Sequence, residues 1–200
     1  MKTNQRTSKR KSSSEKYIDA LQDNFAKINV IRVDLSYLKP FSDAVTFKDA
    51  KKDLKKLLDS RRTKPTIFKH NIGYEFKKEK TDAKGVHIHG FLYFNGHEVK
   101  NDIAKAKQVC SYWEKEITKG KGISFNCNLN ADKYKYNGIG MLDHRDKEKR
   151  LNLDKAVAYV CKDEQIAQSN NNCKTVAYTR GNMPKKKSSA GRPRNDENKK

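Results

Sequence analysis

The chain has 200 residues, the length of one ordinary domain, and carries 45 Lys plus Arg against 24 Asp plus Glu, a formal net charge of +21. An excess this large favours a polyanionic partner, because each cation near a phosphate releases condensed counterions. A membrane surface is the competing polyanion, but there is neither an amphipathic segment with a strong apolar face nor an apolar run of spanning length.

The N-terminal "MKTNQRTSKRKSSSEK" is basic with no apolar stretch behind it, so it does not read as a secretory signal, and a cytoplasmic protein is expected. Residues 1–14 and 181–200 read as flexible basic arms, rich in Lys, Arg, Ser and Asn, around a domain at 15–180. "EKYIDALQDNFAK" (15–27) places Tyr17, Ile18, Leu21 and Phe25 at helical spacing. "INVIRVDLSY" (28–37) alternates as a strand, with Ile28, Val30, Arg32, Asp34 and Ser36 on one face and Ile31, Val33 and Leu35 on the other. Thr46 and Asp49 form a capping box before a helix striped by Phe47, Ala50, Leu54, Leu57 and Leu58 and ending near Ser60.

Pro65 breaks the chain. "TIFKHNIGYEFKKEK" (66–80) and "GVHIHGFLYF" (85–94) then read as two strands joined by a turn. "NDIAKAKQVCSYWEKEITKG" is a helix from Asn/Asp caps to Gly120, striped by Ile103, Ala106, Cys110, Trp113 and Ile117. A fourth strand follows at 122–130, then a short extended segment in "YNGIGMLDH". A helix over 148–163 and an edge strand over 174–180 complete the domain. Cys110, Cys127, Cys161 and Cys173 form no C-x-x-C pair and read as structural thiols.

The order over 28–130 is β-α-β-β-α-β. This predicts an α+β, ferredoxin-like (split βαβ) antiparallel sheet with an extra C-terminal helix and edge strand. Its first and third strands are central, one face is covered by two helices, and the other is left open. His87 and His89 then point from mid-sheet onto the open face, roughly 6–7 Å apart at their backbones. Two imidazoles at that spacing can converge on one ion. An H-x-H alone is a weak signal, but uncovered mid-sheet histidines are poor core material.

Phe91 and Tyr93 follow on the same face, where they either stack a splayed base or pack on the C-terminal helix. "HIHGFLYF" also resembles the second half of the third-strand octapeptide of RNA-recognition motifs, but not the first half. In "KAVAYVCKDEQ", Tyr159 and Lys162 are three apart and share a helix face. Taken alone, Tyr159 is a half-buried helix tyrosine; it lies beside the apolar stripe, so its hydroxyl can project over the sheet. A divalent ion, a placed tyrosine and a lysine suffice for phosphoryl transfer. The ion orients and polarises the phosphate, the phenol oxygen attacks phosphorus, and the lysine stabilises the phenolate or the developing charge.

The strand His-hydrophobe-His followed by a helical Y-x-x-K resembles the HUH endonucleases, the rolling-circle initiators and relaxases with a single tyrosine. "NVIRVDLSY", "GVHIHGFLYFNG", "YWEKEITKGKGISFNCN", "YNGIGMLDHRD", "AVAYVCKDEQ" and "RGNMPKKKSSAGRPR" more closely resemble the inovirus gene-two-type replication proteins and the prophage YagK/YfjJ C-terminal family, over about residues 15–195. The resemblance implies an HUH-like arrangement in which His87 and His89 are metal ligands, Tyr159 the nucleophile and Lys162 its electrostatic partner. A third ligand is expected from a carboxylate on the neighbouring strand. Glu75 and Glu79 share the right face, and Glu79, eight residues before His87, has the spacing of related initiators. Such a set suits Mn²⁺ or Mg²⁺, with zinc a third candidate.

The implied activity is metal-dependent nicking and joining of single-stranded or hairpin DNA at a replication origin of a phage or prophage element. The 5′ end stays on Tyr159 as a phosphotyrosine, and host polymerase and helicase are partners. Arg32, Phe91, Tyr93 and the tail residues Arg192 and Arg194 are candidate DNA contacts. Arg32 and Asp34 equally read as a plain ion pair, and "AGRPR" as a non-specific phosphate binder. His70, His97 and His144 read as ordinary surface or loop histidines. A non-catalytic DNA-binding regulator, or an RNA-binding module, on the same scaffold is the alternative.

Overall fold

Residues 2–81, 84–162 and 178–185 are described by the computed structural model. The chain opens with α1 (Lys2–Asn24) and enters β1 (Lys27–Tyr37). The single turn α2 (Lys39–Ser42) and a short link to the cap residue Thr46 lead to α3 (Phe47–Thr63), and the single turn α4 (Pro65–Phe68) precedes β2 (Asn71–Thr81). β3 (Gly85–Asn95), α5 (Asp102–Tyr112), β4 (Gly122–Asn126), β5 (Gly140–Asp143), α6 (Lys147–Cys161) and β6 (Tyr178–Arg180) follow. Among the described residues this is an α+β fold on one six-stranded antiparallel sheet, ordered β4-β1-β3-β2-β6, with β5 also pairing with β1. The 4-1-3-2 run is the order expected of a ferredoxin-like sheet, and it puts β1 and β3 in the centre.

Strand periodicity divides the core. Ile31, Val33 and Leu35 of β1 join Val86, Ile88, Leu92 and Phe94 of β3 and Phe76 of β2 beneath α3 and α5, where Leu54, Leu57, Val109 and Trp113 close the layer. Each such side chain stabilises the fold by roughly 1.5–3 kcal/mol. The capping box that starts α3 is present, with Thr46 Oγ1 accepting from Asp49 N and the Asp49 carboxylate accepting from Thr46 N. Gly90 is needed in β3 because a Cβ there would lie 2.1 Å from the Phe76 ring.

The opposite face is only half open. Ile28, Val30, Phe91 and Tyr93 are fully buried there under Tyr17, Ile18 and Leu21 of α1 and Leu153, Val157 and Val160 of α6. The covering helices leave the other end of the same face, around Asp34, His87 and His89, partly exposed.

Several boundaries differ from the expected ones. Residues 2–14 are helical rather than a loose arm: Lys, Arg and Gln are good helix formers, and the segment is tied down where Ser14 is buried and donates to Glu75. The tail likewise starts later, since Gly181 N donates to Tyr74 O and Asn24 Nδ2 donates to Lys185 O. Residues 65–68 are a helical turn because Pro65 sits at its first position. The helix expected to Gly120 widens after Tyr112, where Thr118 N bonds Trp113 O five residues back. β4 stops at Asn126, whose side chain accepts from Asn128 N and caps a short 3₁₀ segment. No helix of the described residues is long and apolar enough to cross a membrane.

Candidate metal centre

The uncovered corner is built from three strands in register. His87 of β3 faces Glu79 of β2. One pleat further, His89 lies between Lys77 of β2 and Asp34 of β1. All five therefore point to one side of the sheet. Glu79, His87 and His89 bring one ligand atom each within 4.8 Å of one another, the only such group among the described residues. Glu79 Oε2 lies 3.3 Å from His87 Nε2 and 3.4 Å from His89 Nε2.

What aims the two imidazoles is the contact at their other nitrogen. His89 Nδ1 is 2.7 Å from Asp34 Oδ1, and His87 Nδ1 is 3.3 Å from the Gly85 carbonyl. Donation from Nδ1 to an oxygen fixes the tautomer and leaves the Nε2 lone pair for an ion. Gly85 makes its part possible. Its φ is +64°, and a Cβ there would lie 2.8 Å from the Ser42 carbonyl oxygen.

The donor set of two imidazole nitrogens and a carboxylate fits a divalent ion: Glu79 would hold it with His87 and His89, while Asp34 orients His89. Without an ion the cluster compensates itself. Burial works against the His89 cation, but hydrogen bonds to Asp34 and Glu79 prevail and raise its pKa to about 9. Burial likewise opposes ionisation of Glu79, yet contacts from His87, His89 and Lys77 hold it well below the usual carboxylate range. Asp34 is lowered against burial by its bond to His89. Lys77 is almost fully buried and forms an ion pair with Glu79 Oε1.

Glu75 is not part of this group. It is fully buried, and its carboxylate accepts from Ser14 Oγ at 2.9 Å, Tyr93 Oη at 3.2 Å and Tyr178 Oη at 3.2 Å. Burial, outweighing those bonds, raises its pKa to about 7. It is a structural tie between α1, the sheet and β6.

Tyr159 is 47% exposed on the last turn of α6. Two residues on, Cys161 is buried in the same cluster as Val157 and Val160, and α6 packs against β2. Lys162 does not continue the helix. It is the C-cap with φ −61° and ψ 137°, but its Nζ still lies 5.7 Å from the centre of the Tyr159 ring.

Of the candidate DNA contacts, Phe91 and Tyr93 take the packing alternative and Arg32 the ion pair with Asp34. Phe91 and Tyr93 are core residues under α1 and α6 and offer no ring to a base. Arg32 is tucked between the rings of Phe91 and Tyr134, at 5.7 and 4.7 Å from their centres, with Nε 3.9 Å from Asp34. Arg192 and Arg194 lie outside the described residues, as do Cys173 and the first part of the edge strand expected over 174–180. Cys110, Cys127 and Cys161 are buried free thiols. His70 pairs with Glu98 and His144 with Asp143, apart from the metal group.

Two members were not singled out in the sequence as parts of the site. Lys77 follows from the alternation Glu75, Lys77, Glu79. Asp34 follows from a 4-1-3-2 order, which sets the His-bearing strand against β1. Comparison with protein-family models, with curated proteins and with solved structures finds no significant match to this chain.

Proposed function

We propose that the chain is a metal-dependent, single-tyrosine nuclease of the HUH type that nicks and rejoins single-stranded DNA to start rolling-circle replication of a phage or prophage element. The observation that carries this reading is the convergence of two Nε2 atoms and Glu79 Oε2, with each Nδ1 held by a separate oxygen. A divalent ion bound by Glu79, His87 and His89 would supply Lewis-acid polarisation of a phosphodiester and a fixed seat for its oxygens. The remaining chemistry belongs to side chains of the chain itself.

In the proposed step the Tyr159 oxygen bonds to phosphorus and the bond to the 3′ oxygen breaks. The phenol proton is lost and the leaving 3′ oxygen gains one, so a 3′-hydroxyl departs and the 5′ phosphate stays on Tyr159. A free phenol is a weak nucleophile at neutral pH, and the Lys162 ammonium, 5.7 Å from the centre of the Tyr159 ring, would stabilise negative charge that develops on the attacking oxygen or on the phosphate. The phosphotyrosine keeps the diester's bond energy, so attack by a 3′-hydroxyl rejoins the strand. The net charge of +21 supplies the long-range attraction for DNA.

The test is a covalent-adduct assay on labelled single-stranded fragments with Mn²⁺. DNA that runs with denatured protein, and is lost in Tyr159→Phe and with chelator, supports the reading. Its absence on every fragment, with binding intact, refutes it. One observation favours the alternative of a non-catalytic DNA-binding regulator: Lys77 and His89 already neutralise Glu79 and Asp34, so this corner is stable without an ion. That protein would bind DNA equally well in His87→Ala and with chelator.

A further inference from the structure

Beside the metal centre lies a cleft of about 740 Å³, lined by His87, His89, Asp34, Lys39, Lys84 and the exposed side of β4. That size admits a base with its sugar. Phe125 is 49% exposed and Ile123 45% exposed. Both face the same side as the histidines, because Phe125 is paired with Asp34 and Ile123 with Ser36. His89, Asp34 and Phe125 form one row across β3, β1 and β4, so Phe125 stands two strand spacings from His89, roughly 9–10 Å. This is about the span of one nucleotide.

The residues around it fit an anionic strand. The cleft's one carboxylate, Asp34, is engaged by His89, while Lys39 and Lys84 leave the lining cationic. The other aromatics that the described strands turn to this side, Phe91, Tyr93 and Tyr178, pack into the cluster under α1 and α6, and none of the described helices covers Phe125. Phe125 and Ile123 join the half-exposed Leu38 in an apolar patch along a cleft that also carries two lysines, the make-up of a binding surface.

Resting on the reading of the chain as a single-stranded DNA nuclease, we infer that Phe125, with Ile123 beside it, is the platform on which one unpaired base next to the scissile phosphate stacks. Base–aromatic stacking needs a free π-face, tolerates any base, and requires the base to leave its duplex. It does not require the ion.

The experiment is anisotropy of labelled single-stranded and duplex oligonucleotides with the full chain in chelator. Phe125→Ala weakens single-strand binding by roughly 5- to 150-fold, the range that stacking of one base supports. Phe125→Trp restores it, and duplex binding stays unchanged. An abasic position walked along the strand weakens the wild type at one place and has no effect there in Phe125→Ala. Equal single-strand affinity in wild type and Phe125→Ala overturns the platform and leaves the nuclease reading standing. A loss shared equally by duplex DNA also overturns it, since this is damage to the surface rather than loss of a stack. A wild type that binds no single strand at all overturns both.

Discussion

Replacing Glu75 with Gln separates the cost of a buried charge from the value of its hydrogen bonds. In the fold the carboxyl titrates at about 7 rather than at 4.5, because burial resists ionisation more than the Ser14, Tyr178 and Tyr93 hydroxyls favour it. The protonated form is thus the one that folding prefers. Its stabilising contribution is complete below pH 4.5 and is lost as pH rises through about 7. The difference amounts to about 3 kcal/mol above pH 7. Gln is the neutral isostere of the protonated acid. Glu75→Gln should therefore match the wild type at pH 4.5 and exceed it by up to about 3 kcal/mol at pH 8.5.

Urea unfolding at both pH values, followed by Trp113 fluorescence, gives the comparison. The groups facing Glu75 do not blur it. Tyr17 and Cys161 are each pushed up to about 12 by burial, and Tyr93 and Tyr178 are raised well above the ordinary tyrosine value. Parallel stability curves for the two proteins across this range would refute the reasoning, as would a Gln variant weaker at every pH.

Other substitutions test the centre and its supports. Asp34→Ala frees His89 Nδ1 and should lower Mn²⁺ affinity by about 10- to 100-fold in calorimetric titration; unchanged affinity would mean that Asp34 does not orient the ligand. Gly85→Ala forces a Cβ at φ +64° against the Ser42 carbonyl and should cost about 1–2 kcal/mol or more in urea unfolding, with weaker metal binding because His87 loses its anchor. Thr46→Ala removes half of the capping box of α3 and should cost roughly 0.5–2 kcal/mol in the same assay, with metal affinity unchanged.

The strand alternation in "GVHIHGFLYF" and "INVIRVDLSY" was enough to put His87 with His89 on one face of β3 and Arg32 with Asp34 on one face of β1, and the order of elements placed β1 and β3 at the centre; that the two faces are one side of the sheet follows from the register of Asp34 against His89. Local pattern could go no further along that side. Phe91 and Tyr93 share the face of His87 and His89, and only the packing of α1 and α6 decides that the first pair is core and the second is not. The same packing separates Glu75 from Glu79, which the pleat treats alike. Ser14 looked like part of a loose arm because its neighbours are polar, and its value lies in a bond to a residue 61 positions away. Phe125 needed the register of β4 against β1 before its exposure meant anything. The early end of α6 shifts Lys162 off the helix, and its long side chain still reaches the Tyr159 ring.

The nuclease reading depends on an ion being held by Glu79, His87 and His89. The most direct measurement is Mn²⁺ titration of the purified chain followed by electron paramagnetic resonance, with ¹⁵N-labelled histidine to read the coupling. The account predicts one Mn²⁺ per chain coupled to two imidazole nitrogens, with the bound signal lost in the double variant His87→Ala, His89→Ala. No saturable binding, or a signal that survives that substitution, would contradict it and leave the cluster as an ion-paired corner of the sheet.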